Sequence, residues 1–249
     1  MSEAREAVMR AEAGAHLLPG AMERFSGWGL MGLTFRSGDI LATRRFPASS
    51  IGPGYTSVWH RAPDGAWTFY ADVSPATACT RYFGEAVERA VVSPIEMVWT
   101  AEDTLVVRIP EARLRAEVVV GNTLASRALN LMAAGLPEWA WRNPSVLERM
   151  SHVAGPLLHA GRLAMAGEAP NHQRFIANPR KVWVVKSARL VVGERVVTDV
   201  GPVTPQARLG DFYIPQRGLL AVGNAAFDAL DPAHHSTSVC RGLRAAEAH

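Results

Sequence analysis

Side chains able to move a proton gather on one parity of three strand-like stretches. From Tyr55 to Arg61 and from Trp67 to Asp72 the residues are mostly aromatic, β-branched or hydroxyl-bearing, and in a strand successive side chains point to opposite faces. Thr56, Val58 and His60 therefore share a face of the first stretch. Thr68, Tyr70 and Asp72 share one of the second, and Glu96, Val98 and Thr100 one of a third, Ile95 to Thr100. An imidazole, a phenol and carboxylates can transfer protons without a cofactor when burial moves their pKa values toward neutrality. His60, Tyr70 and Glu96 are the candidate acid–base residues. The opposite parity holds Tyr55, Trp59, Trp67, Phe69 and Trp99. Two arrangements fit this alternation. Either the aromatic parity is core and the polar one meets solvent, or a helical segment covers the aromatic surface and the polar parity faces a lumen.

A second group lies in Leu209 to Gly223, where Asp211, Tyr213, Gln216 and Arg217 share an irregular segment with Phe212 and Pro215. Aromatic and charged residues on a loop held by a rigid scaffold often edge a binding site, although an Asp–Arg pair can equally serve to pin the loop. Arg174 and Arg180 sit in polar turns and can hold a carboxylate or merely flank strands. Trp59, Trp67, Trp99, Arg174, Tyr213 and Arg217 are the candidate ligand contacts.

Other chemistry has no signature. There is no glycine-rich phosphate loop before a helix and no nucleophile elbow. His152 and His159 are separated by Gly155-Pro156, and His234-His235 falls near the end of the chain. No metal site and no cofactor is expected. Cys79 and Cys240 are the two cysteines, far apart in sequence, and read as free thiols of a reducing compartment.

The elements that must position these groups are mainly strands. Ala62-Pro63-Asp64-Gly65 is a turn with a mechanism: Pro presets φ, Asp bonds its own backbone, and Gly accepts the left-handed position. Ile95 to Thr100 and Thr104 to Ile109 form a second hairpin, and Leu114 to Val120 extends the meander. Ahead of these, Ser2 to Leu18 reads as a helix, Phe25 to Leu33 as a glycine-dense strand at a crowded corner, and Asp39 to Phe46 as a further strand. After the meander the period changes to about 3.6. Asn122 caps a helix stopped by Gly135, and Asn143-Pro144 opens another that runs to Gly155-Pro156. Short strands then follow at Leu163 to Gly167, Arg174 to Ala177, Val182 to Val185, Leu190 to Val197, Phe212 to Ile214 and Gly218 to Val222. A helical turn at Asn224 to Leu230 and a loose tail close the chain.

The expected fold is mainly β, an antiparallel β-barrel with an inserted helical hairpin at 122–160 and an N-terminal helix within 1–24. The barrel spans 25–223, and 224–249 forms the turn and tail. The strand spacing and hairpins such as Val58 to Tyr70 give Gly27 to Val222 a pattern that resembles lipocalin-like barrels, including larger lipocalin-related folds of enzymes acting on hydrophobic metabolites. The short Gly-x-Trp signature near the start of that family has loose counterparts in Gly27-Trp28 and Gly65-Ala66-Trp67, and no residue role is carried across.

Composition bounds the rest. The chain has 249 residues, 48% hydrophobic and 20% charged, with net charge +3, as for a globular protein. No apolar run reaches the roughly 18–20 residues needed to cross a bilayer, and the first residues lack the apolar core of a secretory signal, so a cytoplasmic location is expected. Its 26 basic residues are dispersed, with only Lys181 and Lys186 as lysines. That pattern argues against a nucleic-acid surface. Two functions fit. One is binding of a hydrophobic small molecule in a barrel cavity, with cofactor-independent cyclisation, isomerisation, hydration or elimination if the ligand is transformed. The other is a non-catalytic scaffold with a filled barrel, meeting a partner protein or a membrane surface through its helical insertion, whose Trp139 and Trp141 lie near Arg127, Arg142 and Arg149. Oligomeric state is not legible in the sequence.

Overall fold

The computed structural model describes residues 1–237. Cys240 and most of the expected tail lie outside the described residues. Helix α1 (Glu3–Ala13) precedes strands β1 (Glu23–Thr34), β2 (Ile40–Ser49), β3 (Tyr55–Arg61) and β4 (Trp67–Ala71). A short helix α2 (Thr80–Phe83) leads to β5 (Arg89–Val92), β6 (Glu96–Trp99), β7 (Thr104–Ile109) and β8 (Leu114–Gly121). Helices α3 (Leu124–Ala134) and α4 (Pro144–Leu157) interrupt the strands. The chain then completes β9 (Ala166–Glu168), β10 (Arg174–Val192), β11 (Arg195–Val197), β12 (Arg208–Leu209), β13 (Phe212–Tyr213) and β14 (Leu219–Phe227).

The main sheet has twelve strands, and its continuous path runs β5-β4-β3-β2-β1-β14-β10-β8-β7-β6, with β9 and β11 both on β10. It curls into a half-barrel. Its end strands β5 and β6 are not hydrogen-bonded to each other, so the expected mainly β, barrel-like curl is present as an open half-barrel. All pairings in this sheet are antiparallel except β4 with β5. Residues 73–94, which gave no strand signal, supply that parallel edge and α2.

Three further departures each have a physical cause. The expected strands Arg174–Ala177, Val182–Val185 and the first part of Leu190–Val197 are one strand, β10. Its register shifts between Pro179 and Lys181 and between Val185 and Ser187 absorb residues that would otherwise break a ladder. The helical turn expected at Asn224 is instead the end of β14, paired on one side with β1 and on the other with β10. The N-cap of α3 is Thr123, not Asn122, through a reciprocal box with Ser126. The cap Asn143 and first-turn Pro144 of α4 are found as the sequence indicates.

Both faces of the central strands are covered. One face joins Trp28, Leu30, Leu41, Val58, Val107 and Trp183 into a core that also takes Ala4, Ala7 and Val8 of α1. Trp28 Nε1 donates to Glu12 Oε1 at 2.8 Å, fixing α1 in place. The other face carries Phe25, Ile40, Tyr55, Trp59, Phe69 and Phe83, and beyond them α3 and α4. Among the described residues no helix is long and apolar enough to cross a membrane.

His60 belongs to the first face and is engaged in structure. Its Nε2 lies 3.0 Å from Asp39 Oδ1. Asp39 also accepts from Ser37 Oγ at 2.7 Å and, through both oxygens, from Arg195 at 2.5 and 2.8 Å. The network ties β2 and β3 to β11. Burial alone would raise the Asp39 pKa, but hydrogen bonds from Arg195, His60 and Ser37 outweigh it and hold the carboxyl far below its ordinary range. A carboxylate with a depressed folded-state pKa stabilises the fold above its unfolded value of about 3.9, and that contribution disappears as the pH falls through the folded value. Asp39→Asn should therefore lower stability by about 3 kcal/mol at neutral pH, the low end for a broken buried pair because Arg195 reaches solvent. The difference from wild type should narrow below about pH 4; urea unfolding across pH checks both statements.

Candidate functional site

Small residues on the second face of the sheet leave a hollow. Gly29 on β1 pairs with Ala221 on β14, which in turn pairs with Val182 on β10. One step along the same face, Gly27 pairs with Gly223. Backbone crowding imposes these glycines: a Cβ at Gly27 would lie 2.1 Å from Arg45 O, and one at Gly223 would lie 1.9 Å from Asn178 O. The floor therefore carries almost no side-chain volume. Above it the helical insertion stands off the sheet, and between them is a cavity of about 580 Å³, within the roughly 300–1,000 Å³ usual for small-molecule sites.

The roof is the inserted helical pair. Leu129, Met132, Trp141, Met150, Val153 and Leu158 face the cavity from above. Asn130 pins α3 to the edge of β10 opposite β14, where that edge has no strand partner between its β9-paired and β8-paired stretches. Its Nδ2 donates to Val182 O at 2.9 Å and its Oδ1 accepts from Val182 N at 2.7 Å, replacing the missing ladder. Trp141 is fully buried, with the Arg180 guanidinium 4.6 Å from its ring centroid. Arg180 in turn makes a two-pronged bond to Glu138, both contacts 2.8 Å. Leu124, Leu131, Trp139 and Leu157 remain exposed on this insertion.

At the end bounded by β2 and β3 the cavity meets aromatic rings and one cation. Ile40, Ala42, Arg44 and Phe46 share a parity of β2, so Arg44 is delivered to the apolar side. Its guanidinium lies 3.6 Å from the Trp59 ring centroid and 5.3 Å from that of Phe212. Arg44 is half-buried and lines the cavity. Nη1 is buried with no hydrogen-bond partner. Burial pulls the pKa of Arg44 below its ordinary value, yet an arginine stays protonated in a protein. Beside it Tyr55 Oη and Cys79 Sγ are 3.2 Å apart. Burial first, and the neighbouring thiol second, raise the tyrosine pKa well above its ordinary value, so Tyr55 is a neutral hydroxyl.

This end is clamped by Glu23. The carboxylate accepts from Arg81 Nη2 at 2.7 Å and Nε at 3.0 Å, from Tyr82 Oη at 2.6 Å and from Gln173 Nε2 at 3.3 Å. Burial opposes its ionisation, but these bonds outweigh that and lower its pKa, while burial and the bond to Glu23 raise that of Tyr82. Tyr82 stacks on Phe227 at 3.6 Å, and Phe227 and Phe83 both line the cavity.

The residues singled out from sequence are dispersed. Tyr213 lines the cavity, with the Arg162 guanidinium 4.3 Å from its ring centroid. Trp59 forms the platform under Arg44. Trp67 packs edge-on to Phe69 behind it. Trp99 is half-buried against the opposite core. Arg174 is exposed and bonds Asp228 at 3.1 Å, and Arg217 bonds Leu158 O at 3.4 Å. Of the acid–base candidates, His60 is held by Asp39, Tyr70 is half-buried beside the opposite core, and Glu96 is exposed with Arg108 at 4.0 Å. None of the three lines the cavity, and no hydrogen bond joins them. On β3 the polar parity faces neither solvent nor a lumen, because both faces of that strand are buried.

Arg44 and the small-residue floor were missed in the sequence. The available signal was an arginine in register with Ile40, Ala42 and Phe46 on an otherwise apolar parity, opposite the alternating glycines of β1.

No protein-family model matches the chain, and no curated protein matches it. Among solved structures it is similar to a crystal structure of acetoacetate decarboxylase from Legionella pneumophila, at 10% identity and a TM-score of 0.38 over 87% of this chain and 90% of that one. A likeness of that size carries no argument about activity, and the function is read from the cavity itself.

Proposed function

We propose that this protein binds a hydrophobic small molecule between the half-barrel sheet and its helical insertion. The observation that carries the reading is the cavity of about 580 Å³, floored by Gly27, Gly29, Ala221 and Gly223 and roofed by apolar side chains of α3 and α4. An apolar void of this size gives up dispersion contacts that a ligand restores. The scaffold reading called for a filled interior, and it is favoured less for that reason. Contact of the insertion with a lipid or protein surface remains compatible with ligand binding and is supported by exposed Leu124, Leu131 and Trp139. Acid–base transformation through His60, Tyr70 and Glu96 finds no support in their placement.

The test is calorimetric titration of decanol into protein stripped of bound lipid. Saturable binding of one molecule per chain, with a negative heat-capacity change from apolar burial, is the expected result. Absence of saturable binding rejects the reading.

A further inference from the structure

We propose that Arg44 anchors the carboxylate of an otherwise apolar acid, so that the cavity takes the acid in preference to its neutral counterparts. The inference rests on the cavity being a ligand site and names the class of ligand.

Three observations carry it. First, Arg44 Nη1 is buried and unpartnered, and none of the ion pairs among the described residues involves Arg44. A charge partly withdrawn from water without a counter-ion is destabilising, and stacking on Trp59 offsets only part of that. Second, the fold makes room for this side chain. Gly29 stands opposite Arg44 on β1, and a Cβ there would lie 2.8 Å from Thr43 O and 3.3 Å from Arg44 Cγ. Third, the groups beside the guanidinium suit an oxyanion: the neutral Tyr55 hydroxyl can donate, and Glu23 is already saturated by Arg81, Tyr82 and Gln173.

The charge balance favours a monoanion. Arg149 also lines the cavity, but from α4 and exposed to solvent, and Arg81 at the aromatic end is paired with Glu23, so among the described residues Arg44 is the one cation lining the cavity at that end. A planar guanidinium matches a carboxylate through parallel hydrogen bonds. The tail would then extend over Gly29 and Ala221 beneath Met132 and Val153.

Decanoate and decanol, equal in chain length and different in charge, separate the anchor from the cavity. Titrated at a pH where the acid is ionised, wild-type protein should bind decanoate at least about tenfold more tightly than decanol, the scale of a charge-assisted hydrogen bond. Arg44→Met should abolish that preference, the variant binding decanoate and decanol within about threefold of each other. Equal affinity of wild type for the two compounds, or a preference that survives in Arg44→Met, overturns the anchor and leaves the cavity reading intact. If neither compound binds wild type, the cavity reading itself fails. The wild-type comparison needs no variant to fold.

Discussion

Replacing Ala221 by Trp is expected to weaken decanol binding by about a hundredfold while leaving the protein folded. Ala221 sits in the middle of the floor, paired with Gly29 and Val182, and its methyl group points toward α3 and α4. An indole there enters existing void and displaces no packed neighbour, so the melting temperature should hold or rise. A ligand then forfeits on the order of 100 Å² of apolar burial, which at about 25 cal/mol/Å² is about 2.5 kcal/mol, or close to two orders of magnitude in Kd. Unchanged affinity with a folded variant would show that decanol binds elsewhere, and the exposed apolar residues of α3 would be the first place to look.

The second large effect concerns Glu23. Glu23→Ala removes the acceptor for both arms of Arg81, for Tyr82 and for Gln173, and leaves those donors poorly paired in a largely buried setting. Breaking a buried pair in this way costs about 3–5 kcal/mol, which for a chain of this size is a fall of about 6–20 °C in melting temperature. Glu23→Gln keeps part of the hydrogen bonding and should lose about half as much. The damage should reach the ligand as well. Once Tyr82 is released, its stacking on Phe227 and the position of Phe83 loosen, and decanol affinity should fall in Glu23→Ala even at temperatures where the protein stays folded. Thermal melts and titrations on the two variants separate the stability loss from the binding loss.

The sequence was most legible where local chemistry and tertiary structure agree. Ala62-Pro63-Asp64-Gly65 joins strands that begin at Tyr55 and Trp67 as read. Thr104–Ile109 has its expected bounds, and Asn143-Pro144 opens α4. Reading failed where long-range pairing overrides local signals. The residues around Arg180 read as a polar turn, yet β14 pairs across the bulge and carries β10 through it. The Ala-rich stretch after Asn224 suggested a helical turn, but both its neighbours supply ladder partners. Gly27 and Gly29 were read correctly as places of close backbone approach. That they floor a cavity depends on what lies above them, which no local pattern encodes.

The candidate site shows the same limit. Strand parity separates Trp59 from His60 but does not reveal that β3 is buried on both sides, and the imidazole it offers for proton transfer is part of the framework, held by Asp39, which Arg195 holds in turn. Arg44 and Arg45 are consecutive on β2 and so face opposite sides of the sheet. Only the partner strands reveal that Arg44 faces the aromatic end of the cavity while Arg45 faces away and bonds Thr56 Oγ1 at 3.1 Å.

A crystal structure of the protein with ω-bromodecanoate, phased on the anomalous signal of bromine, tests the cavity most directly. The expected result is a single strong bromine peak between Ala221 and the roof helices, with the chain running from it toward Arg44. A bromine peak confined to the outer surface of α3 and α4, or an ordered complex with the cavity still empty, would contradict it.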